Sequence, residues 1–230
     1  MRETLETPGR TCALVTPDLA LGRRVAARLE RWGVSADASS GQPLSRMPVG
    51  RLVDLAVRFL AEPLNPHVLL GLLKHPLVTL DLGKTDARQA LTALEQDGLR
   101  GPRRRDWSRL RRVLIKAGEP RDDGREVSDG HRERLAAALV LVDRLEALSA
   151  EVRAPFVDSA ATPAAAARAL TGLVESLAGL MVWAGPDGEA AARLLTELIA
   201  SGEAMSPLSR GEFAELVSAL LTETTVRTGG

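Results

Sequence analysis

The amino-acid sequence predicts a mainly α-helical protein that opens with a short α/β unit in strand-helix-strand order. Three observations carry that expectation. Apolar residues recur at three- and four-residue spacing from Val49 onward, which is the period of a helix with one buried face. Ala, Leu and Val supply most of the apolar mass, beside three Trp, three Phe and no Tyr, a mix that packs as aliphatic ridges between helices. One compact apolar run, TCALVT from Thr11 to Thr16, precedes the first helix and has the pattern of a buried strand. Residues 1–48 are therefore expected to form a partial α/β segment, and 49–230 a helical subdomain.

The elements follow in order. Pro17 and Asp18 close the strand, and Asp18 is placed to cap a helix with Leu21, Val25 and Leu29 on one face, ended by Gly33. Asp37 to Pro43 is rich in turn residues and reads as a loop at a sheet edge. Val49, Leu52, Val53, Ala56, Phe59 and Leu60 make the next stripe, stopped by Pro63. Asn65-Pro66 is a cap followed by a first-turn proline, opening a helix that ends before His75-Pro76. Helices are expected near Asp86 to Asp97, Trp107 to Lys116 and His131 to Val152. Thr162-Pro163 repeats the cap-and-proline device for a helix reaching Met181, which Gly185 to Gly188 should break. Glu189 to Ser201 follows, and Ser209 with Glu212 is a capping box for a last helix through Phe213, Leu216, Val217 and Leu220.

Composition sets the outer bounds. The 230 residues suffice for a buried core, and 45% hydrophobic with 26% charged residues is the balance of a globular chain. Thirty basic residues offset thirty acidic ones, so any attraction to nucleic acid must be local. The lone Cys12 excludes an internal disulfide and a thiolate cluster, and it is expected to be a buried small hydrophobe in the strand. The first ten residues lack a signal-peptide core, and no window approaches the ~18 apolar residues of a membrane span, so the cytoplasm is the expected location and no membrane partner is expected.

Catalytic signatures fail one by one. Gly83-Lys84-Thr85 resembles the end of a phosphate-binding loop, but the position that needs the first glycine is Val78. His67, His75 and His131 have no metal-pair spacing, and His75 is expected to contact the carbonyls at its helix end. The i−2 neighbours of the only lysines, Lys74, Lys84 and Lys116, are all leucines, so the acidic-x-Lys pair of a metal-dependent nuclease is absent. Asp122, Asp123, Glu126 and Asp129 lack the terminal glutamate of a calcium loop and read as a solvated turn. The chain is thus expected to perform no catalysis, with no catalytic, metal-binding or cofactor-binding residues.

One segment has positive content. Between Leu99 and Lys116 lie Arg100, Arg103, Arg104, Arg105, Arg109, Arg111, Arg112 and Lys116, opposed only by Asp106, for a local charge of +7. Guanidinium forks pair phosphate oxygens and Trp107 offers a face for a base. Arg100, Arg103, Arg104, Arg105, Trp107, Arg109 and Arg112 are the DNA-binding candidates, against the alternative of a solvated face in an arginine-rich protein.

Four segments carry a family resemblance: CALVTPDLALGRRVAARLERWGVSADASSGQPL (Cys12 to Leu44), HVLLGLLKHPL (His67 to Leu77), LEQDGLRGPR (Leu94 to Arg103) and VWAGPDGEAAARLLTEL (Val182 to Leu198). In this order they are similar to the AddB family, the double-strand-break repair subunit of bacterial AddAB helicase-nucleases. The resemblance implies that Cys12 to Trp32 belongs to the second motor-like domain of a superfamily 1 helicase fold, and the later helices to its inserted arm. It also implies a helicase-like module that no longer hydrolyses ATP, with DNA cleavage and an iron-sulfur cluster carried by a nuclease domain expected beyond Gly230. No cofactor is then expected in this chain. The expected role is a DNA-guiding scaffold that holds single-stranded or forked DNA and contacts an AddA-like subunit. The alternative is a stand-alone helical protein-interaction module using an uncovered apolar stripe, for instance that of the last helix.

Overall fold

The protein is described by a computed structural model over residues 6–7, 12–34, 36, 41–80, 84–102, 106–120 and 127–227, with the backbone alone at 19, 23 and 84–86. The chain divides into two compact units, Met1–Gln42 with Val226–Gly230, and Pro43–Thr225. Helices dominate the described residues.

In the smaller unit the helix α1 spans Leu19–Glu30. The Asp18 carboxylate accepts from the N–H groups of Ala20 and Leu21 at 2.8 and 3.0 Å, satisfying two of the donors a helix start leaves open. At the other end Val34 donates to the Leu29 carbonyl and Gly33 to that of Glu30. Gly33 takes the left-handed φ of 73° that this ending requires. The expected strand is corrected. Cys12 to Thr16 forms no strand, Cys12 is exposed, and Val15 is 92% exposed. A buried-strand pattern becomes a strand only beside a partner, and the ladders among the described residues are two-residue pairs made elsewhere.

The larger unit is built around α2, Pro48–Ala61. Its buried set, Val49, Leu52, Val53, Ala56, Val57, Phe59 and Leu60, contains every residue of the expected stripe. Around it pack α3 (Pro66–Leu73), α7 (Pro163–Ala178), α8 (Gly185–Ser201) and α9 (Arg210–Glu223). Gly50 permits one close approach: a Cβ there would lie 1.8 Å from the Leu44 carbonyl oxygen in the short 3-10 turn Leu44–Arg46. A second group consists of α4 (Lys84–Ala93), a π-helical turn over Leu94–Leu99, α5 (Trp107–Ala117) and the long α6 (Asp129–Arg153). Leu94, Leu99, Leu110, Leu114, Leu135 and Val142 fill the space between them. The α6 helix also packs on α7, joining the two groups.

Local caps match the sequence signals. Asn65 accepts from His67 N–H, Thr162 from Ala165 N–H, and Ser209 and Glu212 form both hydrogen bonds of the capping box. Two boundaries differ. The α7 helix stops at Ala178, where Gly179 adopts φ 76°, so Leu180 and Met181 sit on a 3-10 turn at 73% and 80% exposure. Gly185 to Gly188, read as a break, opens α8 with Pro186 in its first turn. Four strands of two residues form the ladders: β1 (Gln42–Pro43) with β4 (Thr225–Val226), and β2 (Ala160–Ala161) with β3 (Leu208–Ser209). Of the stripe expected on the last helix, Phe213 and Val217 are fully buried, while Leu216 and Leu220 are half-buried.

Candidate nucleic-acid interface

The basic segment is sorted by α5. Asp106, its only acidic residue, is spent as the N-cap and accepts from Arg109 N–H at 2.7 Å. The helix then directs its side chains by the 3.6-residue period. Leu110 and Leu114 are buried, and Trp107, three residues before Leu110 and half-buried, belongs to that inner face. Arg109, Arg112 and Lys116 recur at the spacing of the outer face and are exposed. No acidic side chain pairs with them among the described residues.

Arg111 points another way. Its Nε donates to Asp143 at 2.7 Å and its second amino group to Glu146, so the guanidinium clamps α5 onto α6. Both carboxylates raise the Arg111 pKa by hydrogen bonding, Asp143 more than Glu146. This arginine is committed to the fold. Arg100 is exposed, follows the π-helical turn directly, and already interacts within the chain. Arg103, Arg104 and Arg105 lie outside the described residues.

The structure therefore gathers Arg109, Arg112 and Lys116 into one stripe and turns Trp107 to the inner face. Ile115, 52% exposed, borders the stripe and gives it an apolar edge. Three cations recur along one helical face over two turns, and among the described residues no carboxylate pairs with them; chemically, such a stripe suits backbone phosphates more than base edges. Lys116 lies on that stripe although the DNA-binding candidates omitted it; its i+4 relation to Arg112 was the available signal.

His75 N–H donates to the Leu72 carbonyl at its helix end at 3.1 Å, and its ring accepts from Leu77 N–H through Nδ1 at 3.3 Å. Burial lowers the His75 pKa; the Pro48 carbonyl opposes that shift and the charge of Arg51 adds to it. His131 Nε2 lies 3.7 Å from Asp97 Oδ2, linking α6 to the π-helical turn, and that oxygen is buried without a hydrogen-bond partner. Among the described residues no three His, Cys, Asp or Glu side chains converge as a metal site would require, and no helix is long and apolar enough to cross a membrane. No family model, curated protein or solved structure matches this chain.

Proposed function

We propose that this chain is a non-catalytic, DNA-guiding helical segment of an AddB-like subunit, acting in double-strand-break repair by homologous recombination. The observation that carries the DNA-guiding role is the stripe Arg109, Arg112 and Lys116 on α5, which has no acidic partner among the described residues. Such a stripe holds the phosphodiester backbone of single-stranded or forked DNA by charge, while chemistry resides in other parts of the assembly. The four AddB-like segments in family order support the parentage, and the mainly helical body fits the inserted arm that the family reading assigns to it. The partner is then an AddA-like helicase-nuclease subunit in the cytoplasm, and the chain takes no cofactor of its own.

The test is binding of single-stranded and forked DNA across a salt series. Affinity should fall linearly on a log-log plot, and replacing Arg109, Arg112 and Lys116 together with Ala should reduce the salt slope by roughly 1 per lost phosphate contact. Undiminished binding by that triple variant would refute the stripe. A purified chain should also leave ATP and DNA strands intact, and turnover of either would refute the non-catalytic reading. One observation favours a second reading, a protein-interaction module: Leu180 and Met181 stand side by side and exposed on their 3-10 turn. Salt-insensitive self-association without DNA binding, abolished by Met181→Glu, would replace the first reading with this one.

A further inference from the structure

Asp97 belongs to the π-helical turn Leu94–Leu99, and its Oδ2 is buried with no hydrogen-bond partner. Facing that oxygen at 3.7 Å is Nε2 of His131, in the first turn of α6. Both side chains are largely enclosed, 24% exposed for Asp97 and 26% for His131. A gap of 3.7 Å exceeds hydrogen-bond range yet cannot admit a water, so the pair either closes or leaves the buried oxygen unsatisfied. The start of α6 has need of a fastening, because its N-cap residue, Ser128, gives it no side-chain hydrogen bond.

Other charges around the pair are engaged or turned to solvent. Arg132 holds Asp129 at 2.9 Å on α6, and Lys74 holds Glu95 of the π-helical turn at 2.6 Å. Glu133 on α6, Arg88 on α4, Lys116 on α5 and Glu119 beyond it are exposed, and Arg134 is half-buried. Among the described residues none of these pairs with Asp97 or His131. A protonated imidazole donates from both nitrogens with a full charge, and such charge-assisted bonds to carboxylates shorten to about 2.7–2.9 Å and are about twice as strong as neutral ones. The positive end of α6 opposes a cation in its first turn, so the proton is held only while ring and carboxylate meet. Histidine is the side chain that gains and loses such a proton near neutral pH.

We propose that His131 and Asp97 form a proton-operated latch: a proton on Nε2 closes the gap into a charge-assisted hydrogen bond that fastens the first turn of α6 to the π-helical turn, and its departure opens the contact. The start of α6 is thus tied down in mildly acidic solution and released in mildly alkaline solution. The latch does not depend on the DNA-guiding reading of α5.

The experiment is a double-mutant cycle on the whole chain, with His131→Gln, Asp97→Asn and the double variant unfolded in urea beside the wild type. It is run at about pH 5.5 and at about pH 8, which bracket the ordinary histidine range and lie above that of aspartate. His75 is present in all four proteins and cancels from the cycle. At the lower pH the coupling of His131 with Asp97 should raise the folding equilibrium constant about two- to five-fold, as fits a partly exposed pair, and at the higher pH it should vanish. The amides of His131 and Arg132, which both donate to the Ser128 carbonyl, give a local readout. Their hydrogen exchange should be slower in the wild type than in Asp97→Asn at the lower pH, and equal in the two at the higher. Equal coupling at both pH values would make the contact a fixed hydrogen bond of the neutral ring, and no coupling at either would make the two groups mere neighbours; each result overturns the latch. Neither result bears on the α5 stripe, whose readout is DNA binding.

Discussion

Asp187 Oδ2 accepts a hydrogen bond from the backbone N–H of Val49 at 3.2 Å, across 138 residues of sequence. Val49 is in the first turn of α2, whose own N-cap residue, Met47, has no side-chain acceptor to offer. The central helix is therefore capped by a carboxylate from the first turn of α8. Loss of a capping oxygen costs about 1 kcal/mol. Asp187→Ala should lower the unfolding free energy by about that amount in urea titration, whereas Asp187→Asn, which keeps an acceptor, should lose much less. Equal losses in the two variants would show that charge, and not the cap, is what Asp187 contributes.

Gly50 sits where α2 crosses the Leu44–Arg46 turn. A Cβ would approach the Leu44 carbonyl oxygen to 1.8 Å, and backbone cannot yield as a flexible side chain does. Gly50→Ala should destabilise by about 3 kcal/mol or more, the upper range for overpacking. Gly172 is the control: it lies within α7 with nothing within 4 Å of an added Cβ. Gly172→Ala should stabilise by about 0.5–1 kcal/mol through helix propensity. Denaturation midpoints of both variants check the pair, and a tolerated Gly50→Ala would mean that the turn can move.

What could be read from the sequence was what short range decides. The caps at Asp18, Asn65, Thr162 and Ser209 involve hydrogen bonds over two or three residues, so composition alone located them. The stripe of α2 was legible for the same reason, as 3.6-residue periodicity is local. Cys12 to Thr16 misled because a buried strand is defined by neighbours that the run itself does not encode, and Val15 stands in solvent. The end of α7 misled because Gly179 ends a helix only when its left-handed φ is adopted, which the apolar period running on to Met181 concealed. In the basic segment, charge was visible but its division was not. Arg111 is withdrawn by Asp143 and Glu146, over thirty residues away, and only the fold reveals that.

His75 makes stability depend on pH. Burial holds its pKa below the ordinary 6.5, so the folded ring resists protonation that the unfolded chain accepts. Between the two pKa values the unfolded state binds more protons, and stability rises with pH. The contribution is complete above the unfolded value and is lost progressively as pH falls through the folded one. Unfolding free energy measured from about pH 7.5 down to about pH 5.5 should decline more steeply in the wild type than in His75→Gln. Identical slopes would show that the ring is as easily protonated in the folded protein as in the unfolded chain.

Arg111 and Arg112 are sequence neighbours with opposite commitments. Arg111 joins α5 to α6 through Asp143 and Glu146, with its side chain 30% exposed, while Arg112 is exposed on the outer face. Removing a networked, partly exposed ion pair costs about 0.5–1 kcal/mol, and in a chain of this size that lowers the melting temperature by roughly 1–4 °C. Arg111→Ala should show that loss, diminished at high salt, while changing the salt slope of DNA binding little. Arg112→Ala should melt as the wild type does and reduce the slope by roughly 1. The crossed pattern is what distinguishes a cation that holds the helix in place from one that faces a phosphate. If Arg111→Ala weakens DNA binding and Arg112→Ala does not, the strand must lie against α6 and not along the outer face of α5.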